Sequence, residues 1–376
     1  MRLTDEQTLI RDMARDFAQR ELLPKASEWE AKGEFAPGVL QGMGELGLMG
    51  MCVPEQWGGA GTDFMSYSLA MEEIAAGWAA ASSVMSVNNS PVCSALLAWG
   101  SDAQKDRYLR PIAQGAIACF CLTEPHAGSD AGAIKTRAER HGNQYVPNGA
   151  KQFITSGSIA DYALVFAVTD PDAGKRGISA FILPTSTPGF NVIAKEKKLG
   201  QRASDACQIA FEDVEVTPDM LLGEEGQGLS IALANLEAGR VAIAAQAVGI
   251  ARAALEAATS YANERQSFGT AIVNHQAVAV RLADMATRLE AARQLTLHAA
   301  RLRDDGAPCI TEASMAKLFA SEIAETVCSD AIQIHGGYGY VEGFPVERLY
   351  RDVRICQIYE GTSDIQRMVV ARGLVA

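Results

Sequence analysis

The stretch YALVFAVTDPDAGKRGISAFILP, residues 162–184, decides how the rest of the chain is divided. Aromatic and aliphatic side chains recur at every second position from Tyr162 to Val168 and again from Ile178 to Ile182. A period of two, with β-branched and aromatic residues, is typical of strands that bury one face. The intervening residues 171–174, Pro-Asp-Ala-Gly, have turn chemistry. The stretch therefore predicts two strands joined by a turn.

The same pattern extends over a limited part of the chain. It begins near Ile117 and ends near Leu222, and further turns are indicated at residues 147–149 (Pro-Asn-Gly) and at Pro188-Gly189. We predict a small middle β domain, a barrel or sandwich, over residues 117–222.

The chain before this segment has a helical pattern. Ile10, Met13 and Phe17 recur at steps of three and four residues, and Thr4 with Gln7 has the spacing of a capping box. We predict an N-terminal α-helical domain over residues 1–116.

The chain after this segment is rich in alanine and again helical. Helices are predicted over 227–264, 274–303 and 311–334, separated by Gly-rich and Pro-containing breaks. Long helices of this kind favour a four-helix-bundle-like C-terminal domain over residues 223–376. The predicted fold class is mainly α with a central β domain.

Composition excludes several function classes. The 376 residues are 48% hydrophobic, and 33 basic against 45 acidic side chains give a net charge of −12 without a basic block. A nucleic-acid role is therefore not expected.

No uninterrupted apolar run approaches the roughly 18 to 20 residues of a membrane span, and the first segment does not resemble a signal peptide, so a cytoplasmic, bacterial-type protein is expected. The eight scattered cysteines lack metal-ligand spacing, which favours reduced thiols and no metal site.

Three segments are candidates for binding. CLTEPHAGSD (121–130) follows a strand and offers hydroxyls and backbone N–H groups that can hold a phosphate or a ring edge, although an ordinary surface loop has the same composition. KQFITS (151–156) places an aromatic ring and a hydroxyl on one strand face, which a core strand explains equally well. HGGYGY (335–340) has three glycines after a helix, where something approaches the backbone closely.

The segment IYEGTSDIQR (358–367) contains the candidate catalytic acid, Glu360. Thr362 or Ser363 can cap a final helix, and an acid just before that cap is commonly a solvated group favoured by the helix dipole. Apolar residues before Glu360 favour instead a partly buried carboxylate, whose pKa rises and which can act as a base.

Four collinear stretches, CLTEPHAGSD, ERQSFG followed by HQA, IHGGYGY and IYEGTSDIQR, resemble the acyl-CoA dehydrogenase family, and the similarity runs from Leu3 to Arg372. The resemblance implies an FAD-dependent enzyme that oxidises an acyl-CoA thioester to its trans-2-enoyl-CoA and passes electrons to an electron-transfer flavoprotein. It further implies that Glu360 takes the α-proton while the β-hydrogen leaves as hydride to flavin N5. A homotetramer is expected from the family alone.

The resemblance also implies the binding residues. Those that would line the flavin are Phe120, Cys121, Leu122, Thr123, Gly128, Ser129, Phe153 and Thr155. Those that would hold the pyrophosphate and adenine, partly across a subunit boundary, are Arg265, Ser267, Phe268, Gln276, Gln333, Gly336 and Gly337, with Thr362 and Asp364 at the adenosine. Those that would contact the acyl-CoA are Ser129, Glu237, Arg240, Gly361 and Arg372.

Gly239 occupies the position that supplies the base in a subset of the family, which leaves Glu360 as the candidate. Together with a broad likeness to short-chain and branched short-chain members, it favours a short or branched acyl group. Two alternatives remain open at this level: an oxidase-like enzyme that reduces oxygen directly, and a flavin-free acyl-CoA-binding protein that kept the fold.

Overall fold

A first layer of helices covers the start of the chain in the computed structural model, which describes residues 2–375; Met1 and Ala376, the outer limits of the expected domains, lie outside the described residues. The Thr4 and Gln7 side chains each accept a hydrogen bond from the other's backbone N–H at 3.1 Å, so the predicted capping box is confirmed. The α-helices of this layer are α1 (Asp5–Phe17), α2 (Ala26–Lys32), α3 (Val39–Glu45), α4 (Phe64–Gly77), α5 (Ala79–Val87), α6 (Ser94–Trp99), α7 (Asp102–Gln104) and α8 (Arg110–Ala113).

A central sheet follows. Its strands are β1 (Ala118–Cys121), β2 (Arg137–His141), β3 (Gln144–Thr155), β4 (Tyr162–Val168), β5 (Ile178–Pro184), β6 (Phe190–Lys195), β7 (Ala206–Phe211) and β8 (Leu221–Leu222). The order is β6-β7-β3-β2-β4-β5-β8, with β1 paired in parallel to β4. Strands β4 and β5 are the two runs predicted from residues 162–184, and they pair antiparallel.

The long strand β3 joins the two parts of this sheet. Its first half pairs with β2 and its second half with β7, and the register with β7 shifts between Lys151 and Ile154. A bulge of this kind bends a strand and re-aims a side chain. Here the redirected residue is Phe153, whose φ is +59°.

The third layer is helical again. It consists of α9 (Gly228–Glu264), a short hairpin of β9 (Gln266–Ser267) and β10 (Thr270–Ala271), α10 (Gln276–Asp304), α11 (Ile310–His335), α12 (Pro345–Val353) and α13 (Ser363–Val375). The three predicted helices are confirmed to within two residues at each end, and the predicted mainly α fold with a central β domain is confirmed.

Helix α9 is the centre of this layer. Its 37 residues are long and apolar enough to cross a bilayer by length and composition, but 72% of its most apolar window is buried inside the fold. It packs against α4, α10 and α11. Small alanine side chains permit this close packing, so α9 is the core helix of the molecule.

A buried ion pair anchors the loop after β1. Lys151 Nζ lies 2.8 Å from Glu124 Oε1, both side chains are buried, and Lys151 also donates to the Leu122 carbonyl at 3.1 Å. Glu124 accepts two further hydrogen bonds from the backbone N–H groups of Lys135 and Thr136. Burial acts to raise the pKa of Glu124, but Lys151 and these donors outweigh it and lower that pKa.

Replacing only the cation of this pair should destabilise the protein. Lys151→Met leaves the Glu124 carboxylate buried without its partner, a change that costs about 3 to 5 kcal/mol in comparable pairs. The double variant Glu124→Gln/Lys151→Met removes both charges and should recover most of the loss. Thermal unfolding midpoints would show this order, and a single variant as stable as the wild type would contradict it.

Candidate active site

The candidate base lies in a strained turn between the end of α12 and the start of α13. Glu360 has φ of +54° and Gly361 has φ of +90°. A positive φ is unfavourable for a glutamate and persists only where surrounding contacts enforce it. The turn brings the carboxylate against α9, where a Cβ built on Gly239 would lie only 2.5 Å from Glu360 Oε2.

Two side chains hold this turn through its carbonyl oxygens. Lys317 Nζ, on α11, donates to the Gly361 carbonyl at 2.7 Å. Gln366 Nε2, on α13, donates to the Glu360 carbonyl at 3.1 Å and to the Gly361 carbonyl at 2.9 Å. Sequence reasoning missed both residues. The available signal for Lys317 was a lone lysine among small residues in SMAKLFASE, on the face of a helix that must be buried.

Hydrogen bonds compensate poorly for the burial of the Glu360 carboxylate. Its Oε2 is buried and has no hydrogen-bond partner within residues 2–375. Burial raises the pKa of Glu360 to about 7, against the smaller lowering effect of Lys317 and Arg240. A carboxyl group whose pKa is near neutral pH and whose oxygen has no hydrogen-bond partner is suited to exchange a proton with a bound ligand.

Glu360 faces a cavity of about 510 Å³ between the sheet and the helices. Apolar walls come from α5, α9 and α13, and polar groups come from the β1 loop and β3. The structure brings together here most of the predicted flavin and acyl-CoA residues, namely Phe120, Leu122, Thr123, Gly128, Ser129, Phe153, Thr155, Arg240, Glu360, Gly361 and Arg372.

The sheet side of the cavity has a donor set that fits a flavin ring. The ring of Phe153 is 62% exposed, because the bulge in β3 turns it out of the sheet into the cavity. Thr123 and Ser129 supply hydroxyls, and Thr155 lies two residues beyond Phe153 on the same wall. An open aromatic surface bordered by hydroxyls and loop N–H groups matches a planar heteroaromatic ring with polar edges.

Of the residues predicted to contact the flavin ring, the adenosine or the acyl-CoA, four do not line the cavity. Cys121 points its thiol into the core, 3.7 Å from that of Cys119. Glu237, two residues before Gly239 on α9, accepts a hydrogen bond from Arg303 at 3.2 Å. Thr362 and Asp364 lie at the start of α13, where the Thr362 hydroxyl accepts from the Ile365 N–H at 3.4 Å, as a helix cap does.

The residues predicted to hold the pyrophosphate and adenine form a separate region outside the cavity lining. The Arg265 guanidinium lies 5.7 Å from the ring centre of Tyr338, so the β9–β10 hairpin and the Gly-rich turn after α11 are neighbours. Phe268, at the tip of the hairpin, has φ of +51° and is 95% exposed. The other predicted residues belong to these or adjoining segments: Ser267 to β9, Gln276 to the start of α10, Gln333 to the end of α11, and Gly336 and Gly337 to the turn after α11.

The cavity-lining residues that the sequence analysis missed include three polar side chains. Ser83 and Ser86 come from α5, and Lys175 comes from the loop between β4 and β5. Lys175 carries no sequence signal, because its loop has ordinary turn composition. Only the packing of that loop beside Gly132 places it at the cavity.

Sequence models of one family match nearly the whole chain. The description "Acyl-CoA dehydrogenase, N-terminal domain" covers residues 4–116, "Acyl-CoA dehydrogenase, middle domain" covers 119–214, and "Acyl-CoA dehydrogenase, C-terminal domain" covers 226–375.

Individual proteins agree with this. The chain is 49% identical to an acyl-CoA dehydrogenase of Bacillus subtilis, over 100% of this chain and 99% of the relative. It is 48% identical to the bovine mitochondrial short-chain specific acyl-CoA dehydrogenase, over 99% and 91%. A third relative is the caffeyl-CoA reductase–Etf complex subunit CarC of Acetobacterium woodii, which is 44% identical over 99% of this chain and 98% of the relative.

Solved structures show the same likeness. Butyryl-CoA dehydrogenase from Megasphaera elsdenii superposes with a TM-score of 0.98, 41% identity and full coverage of both chains. A chain in a structure of the electron transferring flavoprotein of Acidaminococcus fermentans gives a TM-score of 0.98 and 45% identity over 100% and 99%. A glutaryl-CoA dehydrogenase from Mycobacterium smegmatis in complex with FADH2 superposes with a TM-score of 0.94 and 32% identity, over 99% of this chain and 95% of that chain. By sequence, fold and cavity chemistry, the chain belongs to the acyl-CoA dehydrogenase family and is an FAD-dependent acyl-CoA dehydrogenase.

Proposed function

We propose that this enzyme oxidises a short or branched acyl-CoA thioester to the trans-2-enoyl-CoA, with Glu360 as the base that removes the α-proton. The observation that carries the proposal is the buried Glu360 carboxylate, whose Oε2 has no partner within the described chain and which faces the cavity. When bound, FAD supplies the acceptor for the hydride that leaves the β-carbon.

The environment of Glu360 provides part of the basicity that this chemistry needs. An α-proton of a thioester is a very weak acid, and each unit of pKa mismatch costs about 1.4 kcal/mol. Raising the pKa of Glu360 from 4.5 to about 7 reduces the mismatch by about 3 kcal/mol.

The turn itself offers a donor for the thioester oxygen. The Glu360 N–H donates to no other group among the described residues. A well-aimed donor to a developing oxyanion is worth about 3 to 4 kcal/mol. The base and the donor thus belong to one rigid residue.

Positive side chains lie at the same cavity, although the whole protein is acidic. Arg240, Arg372 and Lys175 all contribute to its lining. With a net charge of −12, local cations rather than an overall field must hold the anionic CoA.

The proposed acyl preference is supported by two observations. The relatives named above include a short-chain specific enzyme and a butyryl-CoA dehydrogenase, both matched over nearly the entire chain. Gly239 also carries no second carboxylate opposite Glu360, the feature from which the sequence analysis favoured a short or branched acyl group.

We further propose that electrons pass to an electron-transfer flavoprotein and that the enzyme is a homotetramer. Relatives that occur with such a flavoprotein support the first point. The exposed Phe268, beside Arg265 and outside the cavity lining, supports the second, since this region can receive the pyrophosphate and adenine across a subunit boundary.

The experiment that tests the function is anaerobic reduction of the bound flavin by a panel of straight and branched acyl-CoAs. Bleaching by butyryl-CoA or isobutyryl-CoA, faster than by octanoyl-CoA, is expected. Turnover with release of peroxide and without added acceptor would instead indicate an oxidase. A purified protein without a flavin absorption band would indicate an acyl-CoA-binding protein.

Glu360→Gln should bind acyl-CoA yet reduce the flavin at least about a hundredfold more slowly, because the amide cannot accept the α-proton. Stopped-flow bleaching measures the rate, and a spectral shift on ligand addition measures binding. The control is Glu322→Gln, which removes the charge of an accessible carboxylate on α11 that pairs with Arg367 of α13. Near-normal bleaching by Glu360→Gln would make the assignment of the base wrong.

The pH dependence of kcat/KM should show a single limb that rises with pH. Glu360 must be ionised to accept a proton, so activity is lost as pH falls below about 7 and reaches a plateau above it. A midpoint near 4.5, the ordinary pKa of glutamate, would contradict the burial argument.

Gly239→Ala should lower kcat at least about tenfold without loss of stability. The new Cβ would meet Glu360 Oε2 at 2.5 Å and displace the carboxylate. Alanine within a helix is favoured over glycine by up to about 1 kcal/mol, so the melting midpoint should not fall. Unchanged kcat would show that the carboxylate does not need this space.

A further inference from the structure

Lys317 is a buried lysine whose role the proposed reaction does not define. It is fully inaccessible to solvent, and its ammonium group donates to the Gly361 carbonyl, one residue beyond the base. We propose that Lys317 is a positioning residue that fixes the Glu360–Gly361 turn and places a buried positive charge behind the catalytic carboxylate. This inference rests on the proposed function and names the residue that controls the position and the ionisation of Glu360.

The geometry of α11 supports this role. Ser314, Lys317 and Ser321 recur at steps of three and four and so lie on one face of the helix. Ser314 Oγ accepts a hydrogen bond from Arg240 Nη1 at 3.2 Å, which links this face to α9. The Ser321 carbonyl accepts from Gln357 at 3.4 Å, just before the base. This polar face, Ser314–Lys317–Ser321, therefore contacts both elements that surround Glu360.

Charge supplies a second argument. The titratable groups that act on Glu360 from the packed elements are Lys317 from α11, Arg240 from α9 and Tyr67 from α4. Burial lowers the pKa of Lys317 to about 8, so the ammonium form still predominates at neutral pH. Arg240 is charged throughout this range, although burial lowers its pKa also.

Without Lys317, burial would raise the pKa of Glu360 further, because only the charge of Arg240 would oppose it. A nearby opposite charge typically lowers a carboxyl pKa by about 1 to 3 units. Removing Lys317 should therefore leave Glu360 protonated at neutral pH, and the enzyme would lose its base without losing the glutamate.

Gln366 allows the two effects of Lys317 to be separated. It donates to the same Gly361 carbonyl and to the Glu360 carbonyl, but it carries no charge. Gln366→Met thus loosens the turn while the charge remains, whereas Lys317→Met removes a hydrogen bond and the charge together. Lys317→Gln removes the charge and retains a shorter donor, and Lys317→Arg retains the charge.

The test measures the titration midpoint of Glu360 in the FAD-loaded enzyme by two readouts. The first is the pH profile of flavin reduction. The second is the infrared carboxylic-acid band that disappears in Glu360→Gln, followed over the same pH range without substrate. Flavin content and melting midpoint identify variants that fold.

Lys317→Met and Lys317→Gln should both raise the midpoint by about one unit or more, which lowers the rate at pH 7 about fivefold and restores it at high pH. Lys317→Arg should keep the wild-type midpoint. Gln366→Met should lower kcat at every pH without moving the midpoint.

An unchanged midpoint in the folded Lys317→Met or Lys317→Gln variant would overturn the proposal. An equal shift in Gln366→Met would also overturn it, since turn disorder would then explain the effect. The infrared titration requires no turnover, so it tests Lys317 even if the proposed oxidation of acyl-CoA fails.

Discussion

The structure depends on keeping one carboxylate buried, without a hydrogen-bond partner on Oε2, in a turn with positive φ. Neither condition is favourable alone, because a buried charge loses its hydration and a glutamate avoids left-handed backbone. The turn persists because Lys317 and Gln366 bind its carbonyl oxygens from two different helices. The proposed base is thus held by contacts to its backbone, and its carboxylate remains available to a ligand.

The other layers are arranged around this requirement. Helix α9 contributes a glycine where the carboxylate needs space and an arginine immediately after it. The sheet contributes the opposite wall through a bulge in β3, and the same strand carries Lys151, which anchors the loop after β1. One strand therefore sets both the exposed ring of Phe153 and the position of the polar loop beside it. The cavity is a product of three packed layers and belongs to none of them alone.

Much of this could be predicted from the sequence. The change in hydrophobic period near Ile117 and again after Leu222 divided the chain into helical, β and helical parts, because period is set by local backbone geometry. The motif around Glu360 and the loop at 121–130 identified residues that the fold brings to one cavity. The positions of the remaining predicted cofactor residues, such as Arg265 and Phe268, show a second region outside that cavity, whose role stays a prediction.

The sequence by itself determined the order of the layers and singled out Glu360 as the candidate base, since both follow from local patterns and short motifs. Only the tertiary structure decided the properties of that base. Its pKa depends on burial and on the charges of Lys317 and Arg240, which lie 43 and 120 positions earlier in the chain but act on it from α11 and α9. Long-range packing sets these distances. The small residues around Lys317 indicate that this lysine is buried, but no local pattern shows that its ammonium group reaches the Gly361 carbonyl.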